Sequence, residues 1–310
     1  MMHGGRSTGP ALSRRKALGL MAAAVADHGI ARAAPAMVMR RIPADGEMLP
    51  AVGVGTWQTF DVGPGAAERD PLREVLRRLV ALGGRVVDSS PMYGAAETVV
   101  GDLAAELGLH NSLFFATKVW THGREAGVAQ MERSLKRLRV ARLDLMQIHN
   151  LVDWQTHLST LRDWKASGRV RYIGVTHYTA SAYGDLERAM RSERLDFAQL
   201  NYSLGEREAE ERLLPLAQDR GIAVIVNRPY VEGALFRRVR GRSLPPWAVE
   251  LQCKSWAQFF LKWILGHPAV TCVIPGTDKP QHLDDNLGAG LGPLPDPAIR
   301  AKMAAHFDAL

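Results

Sequence analysis

The stretch LDLMQIHNLVDWQTHLSTLRDWKASGRVRYIGVT, residues 143–176, contains the pattern that decides the fold. Two short apolar runs, centred on Leu145 and Ile173, lie on either side of an amphipathic segment over residues 155–167. The short runs predict buried strands, and the longer amphipathic segment predicts a helix. A helix of this length is sufficient for a right-handed crossover between parallel strands. The stretch therefore predicts one strand–helix–strand unit.

The same unit repeats along the chain from Met48 onwards. Strand candidates are centred on Val54, Val87, Phe115, Leu145, Ile173, Ala198, Val224 and Val273. Helices are predicted over residues 67–82, 96–108, 124–139, 155–167, 180–193, 206–220 and 250–265, with a last helix over residues 296–309. Eight such units in a chain of this size are typical of the α/β class and of a (β/α)8 TIM barrel. We expect a single barrel domain over residues 37–310.

A doubly wound sheet is the competing architecture. It needs a glycine-rich fingerprint after its first strand, whereas Gly53, Val54 and Gly55 have no third glycine suitably placed behind them. The barrel is therefore favoured. Ahead of the first barrel strand, Asp45 and Gly46 separate two short extended runs within residues 39–50, which predicts a hairpin at the closed end of the barrel.

Composition and charge exclude several classes of protein. The chain has 310 residues, 46% of them hydrophobic and 23% charged, which is typical of a folded protein. Its longest apolar run, residues 17–26, is about half as long as a membrane-spanning helix. Two cysteines, Cys253 and Cys272, are too few for a disulfide scaffold or a zinc site. Residues 1–33 hold five Arg or Lys and one Asp, so most of the formal charge of +7 lies there, and we expect no nucleic-acid binding.

Residues 1–36 have the features of an export signal and linker. Arg14 and Arg15 stand in the sequence Ser-Arg-Arg-Lys-Ala-Leu, which resembles the twin-arginine motif, and a weakly apolar stretch follows. Residues 31–33, Ala-Arg-Ala, provide a cleavage sequence with cleavage after Ala33. This pattern predicts contact with the export machinery and a periplasmic protein. The alternative is a disordered N-terminal extension on a cytoplasmic protein.

Polar residues follow three consecutive strand candidates. The second strand runs into Val-Asp-Ser-Ser-Pro-Met-Tyr-Gly, with Asp88 and Tyr93, the third ends in Lys118, and the fourth ends in His149. In a (β/α)8 barrel these ends meet at the mouth where catalytic residues lie. Each residue alone has a structural explanation, but their joint occurrence indicates a site. A lysine so near the barrel interior requires a counter-charge, which Asp88 can provide.

With these residues the chain resembles the aldo-keto reductases from about Arg41 to Asn286. The five-residue step from Asp88 to Tyr93, the Thr-Lys pair at Lys118 and the Gln-Ile-His-Asn run at His149 match that family's pattern. Supporting motifs are Gly-Thr-Trp at 55–57, Gln-Leu-Asn-Tyr-Ser at 199–203 and Val-Ile-Pro-Gly-Thr at 273–277.

The resemblance implies NADPH-dependent reduction of aldehydes or ketones by hydride transfer, with Asp88, Tyr93, Lys118 and His149 as a catalytic tetrad. Tyr93 is then the general acid, and we expect Lys118 to lower its pKa. His149 would bond the substrate oxygen. Residues implied for the substrate pocket are Trp57, Trp120 and Asn150.

The resemblance also implies a set of cofactor contacts and no metal. The implied contacts are Thr176, His177, Gln199, Asn227, Arg228, Pro229, Gly276, Thr277, Lys279, His282, Asp285 and Asn286. His177 and His282 replace the asparagine and arginine that family members use there, and Asn227 replaces the aromatic residue that stacks on the nicotinamide. Lys279 and Thr277 suit a 2'-phosphate, so NADPH is favoured over NADH.

Three alternatives stay open from the sequence. The barrel is either a reductase or an NADPH-binding sensor or interaction module with little turnover, and the altered motif at Asn227 favours the sensor mildly. A metal-free lyase or isomerase with Lys118 as a Schiff-base amine is a further rival. The cluster Arg237, Arg238, Arg240 and Arg242 is either a solvated loop or a flap that closes over the cofactor's pyrophosphate. The physiological substrate, stereospecificity and oligomeric state are not predicted.

Overall fold

Eight parallel strands follow one another around a barrel in the order in which they occur in the chain. The structure is a computed structural model that describes residues 36–310 and, in the preceding segment, Gly5. The twin-arginine motif and the cleavage sequence lie outside the described residues, and the division of the chain at residue 36 stays a prediction. The strands are β1 (Met39–Arg41), β2 (Met48–Pro50), β3 (Val54–Gly55), β4 (Val86–Asp88), β5 (Phe114–Val119), β6 (Leu143–His149), β7 (Val170–Thr176), β8 (Phe197–Asn201), β9 (Ala223–Asn227) and β10 (Val270–Val273).

Strands β3 to β10 form the barrel, and hydrogen bonds join its first and last strands. Gly53 N donates to the carbonyl oxygen of Val273 and Val273 N donates to that of Ala51, each at 2.9 Å. Further along, Gly55 lies opposite Gly276 in a parallel bridge. Strands β3 to β10 are buried on both faces over most of their length, which explains why they are largely apolar runs. The predicted (β/α)8 barrel is confirmed.

Ten α-helices occur in residues 36–310. They are α1 (Ala66–Ala81), α2 (Ala96–Leu107), α3 (Arg124–Leu138), α4 (Trp154–Ala166), α5 (Tyr183–Ser192), α6 (Leu213–Arg220), α7 (Ala234–Arg238), α8 (Trp256–Leu265), α9 (Pro280–Gly288) and α10 (Pro297–Asp308). Short 3-10 turns over Ala180–Ala182, Glu208–Glu210 and Pro246–Leu251 precede α5, α6 and α8. The sequence did not predict α7 and α9.

Two predicted helices begin later than expected, and the sequence contains the reason. Helix α6 begins at Leu213 rather than at 206, so Pro215 lies in its first turn. Proline is tolerated there because the N–H groups of the first turn make no helical hydrogen bond. Helix α8 begins after Ser255, whose side chain accepts a hydrogen bond from Gln258 N at 3.1 Å. Serine in this position is a strong N-cap, so the helix starts at Trp256 rather than at 250.

The hairpin of β1 and β2 closes the end of the barrel opposite the strand carboxyl ends. Its Ile42 and Leu49 are fully buried and belong to the apolar cluster that fills the barrel, with Phe114, Tyr172 and Phe197. Burial of one such aromatic side chain contributes roughly 1.5–3 kcal/mol. The predicted hairpin is therefore confirmed. Among residues 36–310, no helix has both the length and the apolar character needed to cross a membrane.

Candidate active site

Three adjacent strands bring the predicted catalytic residues to one end of the barrel. Asp88 is the last residue of β4, Lys118 is next to last in β5, and His149 is the last residue of β6. The parallel register pairs Asp88 with Ala116 on β5 and Lys118 with Gln147 on β6. Tyr93 lies in the turn that leads from β4 to α2. The barrel topology alone therefore collects residues that are far apart in sequence.

Lys118 and Asp88 form a buried ion pair beneath the mouth of the barrel. Lys118 Nζ lies 2.6 Å from Asp88 Oδ2 and 2.7 Å from the carbonyl oxygen of Ser89. Lys118 is fully buried and Asp88 is 2% exposed. Burial acts to lower the pKa of Lys118, but the Asp88 carboxylate and the Tyr93 side chain raise it, and the net direction is upward. Lys118 is thus held as an ammonium ion without a free lone pair, which disfavours a Schiff-base role.

The second oxygen of Asp88 binds two amide side chains. Gln199 Nε2 donates to Asp88 Oδ1 at 2.9 Å, and Gln147 Nε2 donates to the same atom at 3.2 Å. Thr176 Oγ1 in turn donates to Gln199 Oε1 at 3.3 Å. The carboxylate therefore accepts hydrogen bonds on both oxygens, as a buried charge requires. Gln147 is part of this network and was not predicted as a site residue.

Tyr93 lies beside the ion pair, and a tight turn sets its position. Lys118 Nζ is 5.0 Å from the centre of the Tyr93 ring. The next residue, Gly94, has φ +58, and a Cβ there would come within 2.3 Å of the Asp61 carboxylate, so glycine is required. Ala95 N donates to that same carboxylate at 2.8 Å, which holds the turn in place.

Burial and the charge of Lys118 act in opposite directions on the pKa of Tyr93. Burial raises the pKa of Tyr93 above its usual value of roughly 10, and the charge of Asp88 adds to this effect. Lys118 acts in the opposite direction, as expected, but does not outweigh burial. The expected lowering by Lys118 is therefore present, but the net direction of the pKa is upward. At neutral pH the Tyr93 phenol retains its proton.

His149 is buried and neutral. Its Nδ1 lies 3.0 Å from Ser90 Oγ, and its ring meets the Tyr93 ring edge-on with centres 5.7 Å apart. Burial, followed by the charges of Lys118 and His177, lowers the pKa of His149 to about 2. A neutral imidazole binds a substrate through one N–H donor rather than through a positive charge.

A cavity of about 730 Å³ opens above these residues. Predicted site residues in its wall are Trp57, Asp88, Tyr93, His149, Asn150, Thr176, Gln199, Asn227, Arg228, Pro229 and Gly276. Lining residues that the sequence did not single out include Met92, Tyr178 and Phe236. Trp57, Met92, Tyr178 and Phe236 are each more than a third exposed, so the rim of the cavity is largely apolar and aromatic.

Trp120 does not line this cavity. It is 42% exposed, and its backbone is held by Gln130 on α3. Trp120 N donates to Gln130 Oε1 at 2.6 Å, and Gln130 Nε2 donates to the Trp120 carbonyl at 3.1 Å. The substrate role of Trp120 stays a prediction.

The segment that follows β9 departs most from regular geometry. Asn227 Nδ2 donates to the carbonyl of His177 at 3.2 Å, while Asn227 Oδ1 is buried without a partner among the described residues. Arg228, Val231 and Glu232 have φ of 49, 50 and 50. Positive φ is rare for a β-branched residue such as Val231, and each such residue costs about 1–3 kcal/mol. Strain of this kind clusters at ligand sites.

Tyr230 connects the β9 segment to helix α9. Its hydroxyl donates to Asn286 Oδ1 at 2.5 Å, and its ring packs against Phe236 with centres 4.7 Å apart. Tyr230 also lines the cavity. Asn286, one of the predicted adenosine contacts, does not line the cavity itself but is bound to Tyr230, which does.

The predicted contacts of the adenosine end lie at the start of α9. Thr277 Oγ1 accepts a hydrogen bond from Lys279 N at 3.1 Å, and Lys279 precedes the first residue of α9. The side chains of Lys279 and His282 are exposed, whereas Asp285 accepts a bond from Gln258 at 2.8 Å. His177 and these four residues do not line the cavity around the tetrad.

Two of the four clustered arginines bind the C-terminal end of the chain. Arg238 Nη2 donates to the carbonyl oxygen of Asp308, and Arg242 Nη2 donates to that of Leu310, each at 2.9 Å. Basic side chains stabilise the carbonyl end of a helix such as α10. These two arginines are therefore bound to the C-terminal end of the chain, and closure of the cluster over a cofactor stays a prediction.

No group of three or more His, Cys, Asp or Glu side chains within residues 36–310 is arranged to hold a metal ion. The groups that face the cavity are instead a protonated phenol and a neutral imidazole, with an ammonium–carboxylate pair behind them. Such a set can donate hydrogen bonds and one proton to an oxygen atom that gains negative charge.

Comparisons with known proteins agree with this chemistry. Residues 51–302 match the model of the aldo/keto reductase family. A methylglyoxal reductase of Escherichia coli, YeaE, is 29% identical over 245 residues, covering 77% of this chain and 84% of that protein. An aldo-keto reductase of a Mycobacterium species is 31% identical over 254 residues, covering 78% of this chain and 84% of the relative.

Solved structures give the same result. A crystal structure of an aldo-keto reductase from Klebsiella pneumoniae in complex with NADPH superposes with a TM-score of 0.73 at 25% identity, covering 87% of this chain and 96% of the other. The thermostable aldo-keto reductase Tm1743, crystallised with the inhibitor epalrestat, has a TM-score of 0.71 at 25% identity and covers 88% of this chain and 99% of its own. The chain therefore belongs to the aldo/keto reductase family of NAD(P)H-dependent oxidoreductases that act on carbonyl groups.

Proposed function

We propose that this enzyme reduces small aldehydes or ketones to alcohols, with NADPH as the hydride donor and Tyr93 as the general acid. The observation that carries the proposal is the Tyr93 phenol, which keeps its proton and lies beside the buried Lys118–Asp88 pair and the neutral His149. A proton donor for a carbonyl oxygen needs this protonation state. The raised pKa of Tyr93 keeps the phenol protonated at neutral pH but makes it a weaker acid, so proton transfer to the substrate depends on Lys118 stabilising the tyrosinate.

Each residue of the tetrad has a separate task in this reaction. Reduced nicotinamide, when bound, supplies a hydride for the carbonyl carbon. As the oxygen gains negative charge, the Tyr93 O–H bond breaks and the alcohol O–H bond forms. Lys118 stabilises the resulting tyrosinate, and Asp88 keeps Lys118 charged in a buried environment. His149 donates a hydrogen bond that orients the same oxygen.

The residues that follow β7, β8 and β9 suit a nicotinamide cofactor. Asn227 Oδ1 is a buried acceptor without a partner among the described residues, and the amide of a nicotinamide carboxamide is a donor of matching chemistry. Arg228 Nε is a buried donor that also has no hydrogen-bond partner among the described residues. Asn227, Arg228 and Gln199 would hold the nicotinamide end, and Lys279 with Thr277 would hold a 2'-phosphate. We favour NADPH for this reason.

Export through the twin-arginine route is part of the same proposal. That route carries folded proteins, so a barrel closed around NADPH would cross the membrane loaded with its cofactor. This matters because no pool of NADPH is expected outside the cytoplasm. Residues 1–33 would then be removed by cleavage after Ala33.

An assay of purified protein with NADPH and a panel of carbonyl compounds tests the proposal. Methylglyoxal is the first substrate to try because of the name of the E. coli relative. Further aldehydes, ketones and quinones extend the panel, and loss of reduced-nicotinamide absorbance is the signal. Turnover of at least one carbonyl, faster with NADPH than with NADH, is expected. NADPH binding without turnover across the panel would favour the sensor instead.

A further inference from the structure

We infer that Ser90 is a positioning residue: its hydroxyl donates to His149 Nδ1 and so holds the imidazole in the tautomer that carries its proton on Nε2. The inference rests on the proposed function only for its kinetic consequence. The tautomer itself is a property of the folded chain.

The direction of the Ser90–His149 bond follows from the surroundings of the hydroxyl. Ser90 is fully buried, so its O–H must find an acceptor within the protein. Two contacts of Ser90 Oγ are found among the described residues, His149 Nδ1 at 3.0 Å and Met92 N at 3.4 Å. Met92 N–H is itself a donor. Nδ1 of His149 is therefore the acceptor of the Ser90 proton.

The protonation state of His149 then settles which nitrogen carries hydrogen. Burial, followed by the charges of Lys118 and His177, keeps the ring neutral. A neutral imidazole has one N–H and one lone pair. Because Nδ1 uses its lone pair to accept from Ser90, the hydrogen lies on Nε2. The side chain lines the cavity, so Nε2 is the ring nitrogen left for a substrate oxygen.

The opposite tautomer would be a poor partner for a carbonyl. With hydrogen on Nδ1, Nε2 would present a lone pair to an oxygen that gains negative charge during the reaction. Both atoms would then be acceptors, and the orienting bond would be lost. The hydroxyl of Ser90 prevents this because an N–H at Nδ1 would leave the Ser90 proton without an acceptor. Ser90 therefore acts through His149 and does not touch the substrate.

A purely structural role for Ser90 is the competing explanation. The Ser90 carbonyl accepts from Tyr93 N at 3.0 Å, and its hydroxyl accepts from Met92 N, so the residue also shapes the turn that carries Tyr93. A test must therefore include a measurement that does not depend on the conformation of this turn. The ring nitrogens of His149 provide one.

The first measurement is ¹⁵N NMR of the His149 side chain in wild type, assigned by comparison with His149→Gln. We expect a pyridine-like Nδ1 and a protonated Nε2 over the whole range from pH 6 to 8. A protonated Nδ1 in the wild type would overturn the inference. This measurement needs no substrate, so its result stands even if no carbonyl in the panel is reduced.

The second measurement compares Ser90→Ala with Ser90→Thr, which keeps the hydroxyl. In Ser90→Ala we expect mixed His149 tautomers and a fall in kcat of roughly 5- to 150-fold, with NADPH affinity changed by no more than a few-fold. Ser90→Thr should restore the wild-type tautomer and most of kcat. Unchanged His149 signals and unchanged kcat in Ser90→Ala would contradict the inference.

Ser203→Ala is the matched control. Ser203 is also fully buried, and its hydroxyl accepts bonds from Gly205 N and Glu206 N, but it has no contact with His149. This variant should lose stability without any change in the His149 ring signals. A change in His149 tautomer in Ser203→Ala would mean that general loosening, rather than the Ser90 bond, controls the ring.

Discussion

Lys118 and Asp88 are bound to each other at 2.6 Å with almost no solvent contact for either side chain. The pair lies at the end of two neighbouring strands, and Tyr93 packs over it. A charge so deeply buried is tolerable only while its partner is present.

Lys118→Met should therefore destabilise the barrel strongly. The substitution leaves the Asp88 carboxylate buried without its cation, which costs about 3–5 kcal/mol. Denaturant unfolding measures this. The control is Arg124→Met, which removes the partner of Asp163 from a pair in which both side chains are more than half exposed, and about 0–1 kcal/mol is expected there. Similar losses in both variants would mean that burial of the Lys118 pair adds no penalty.

His149 should make the stability of the fold depend on pH. Its pKa is about 2 in the folded chain and roughly 6.5 when unfolded, so the unfolded chain binds more protons in that window. Stability should fall as the pH drops from about 6.5 towards 2, and His149→Gln should reduce this slope. Unfolding midpoints at pH 7 and pH 5 provide the comparison. An unchanged slope in the variant would contradict a neutral, buried His149.

Lys279→Met should separate the two nicotinamide cofactors. Lys279 is exposed at the start of α9, and a 2'-phosphate is carried only by the phosphorylated cofactor. We expect NADPH to bind roughly 10- to 150-fold more weakly and NADH to be almost unaffected, since bonds to charged groups contribute about 1.5–3 kcal/mol. Lys302→Met, which removes an exposed lysine of α10 that lies over the ring of Trp247, is the control. Equal losses for both cofactors would show that Lys279 does not contact the phosphate.

Arg14→Lys together with Arg15→Lys should block export. The variant should stay in the cytoplasm as a folded, uncleaved precursor, because the twin-arginine route requires the arginine pair. Fractionation and N-terminal sequencing measure this, with wild type expected in the periplasm beginning near Ala34. Full-length wild type in the cytosolic fraction would refute the export proposal and leave the reductase assignment intact.

The sequence predicts the barrel well because each strand is buried on both faces. The eight predicted centres, Val54 to Val273, all fall within observed strands. A short apolar run between two amphipathic helices is best accommodated as a parallel strand that helices cover on its outer face. Helix α9 was missed because it is short and polar, although Pro280 at its first position is a typical helix start. Helix α7 has five residues, which is too short for a periodic pattern.

The properties of the site that depend on contacts between residues distant in sequence could not be predicted from the sequence. The strand-end positions of Asp88, Lys118 and His149 follow from chain order alone. The direction of the Tyr93 pKa shift does not, because it depends on the balance between burial and the Lys118 charge. Ser90 carries no motif signal of its own, and only the folded chain brings it to 3.0 Å from His149.

The most direct test of the central claim is the turnover of Tyr93→Phe. This substitution removes the proposed proton donor and leaves the ring that packs beside Lys118, so kcat should fall by roughly 10²- to 10⁴-fold while NADPH binds within a few-fold of wild type. Tyr183→Phe is the matched control, because it removes a buried hydroxyl that donates to the Asn201 carbonyl, and it should keep wild-type turnover. Turnover close to wild type in Tyr93→Phe, with NADPH and the same carbonyl substrate, would contradict the assignment of Tyr93 as the general acid.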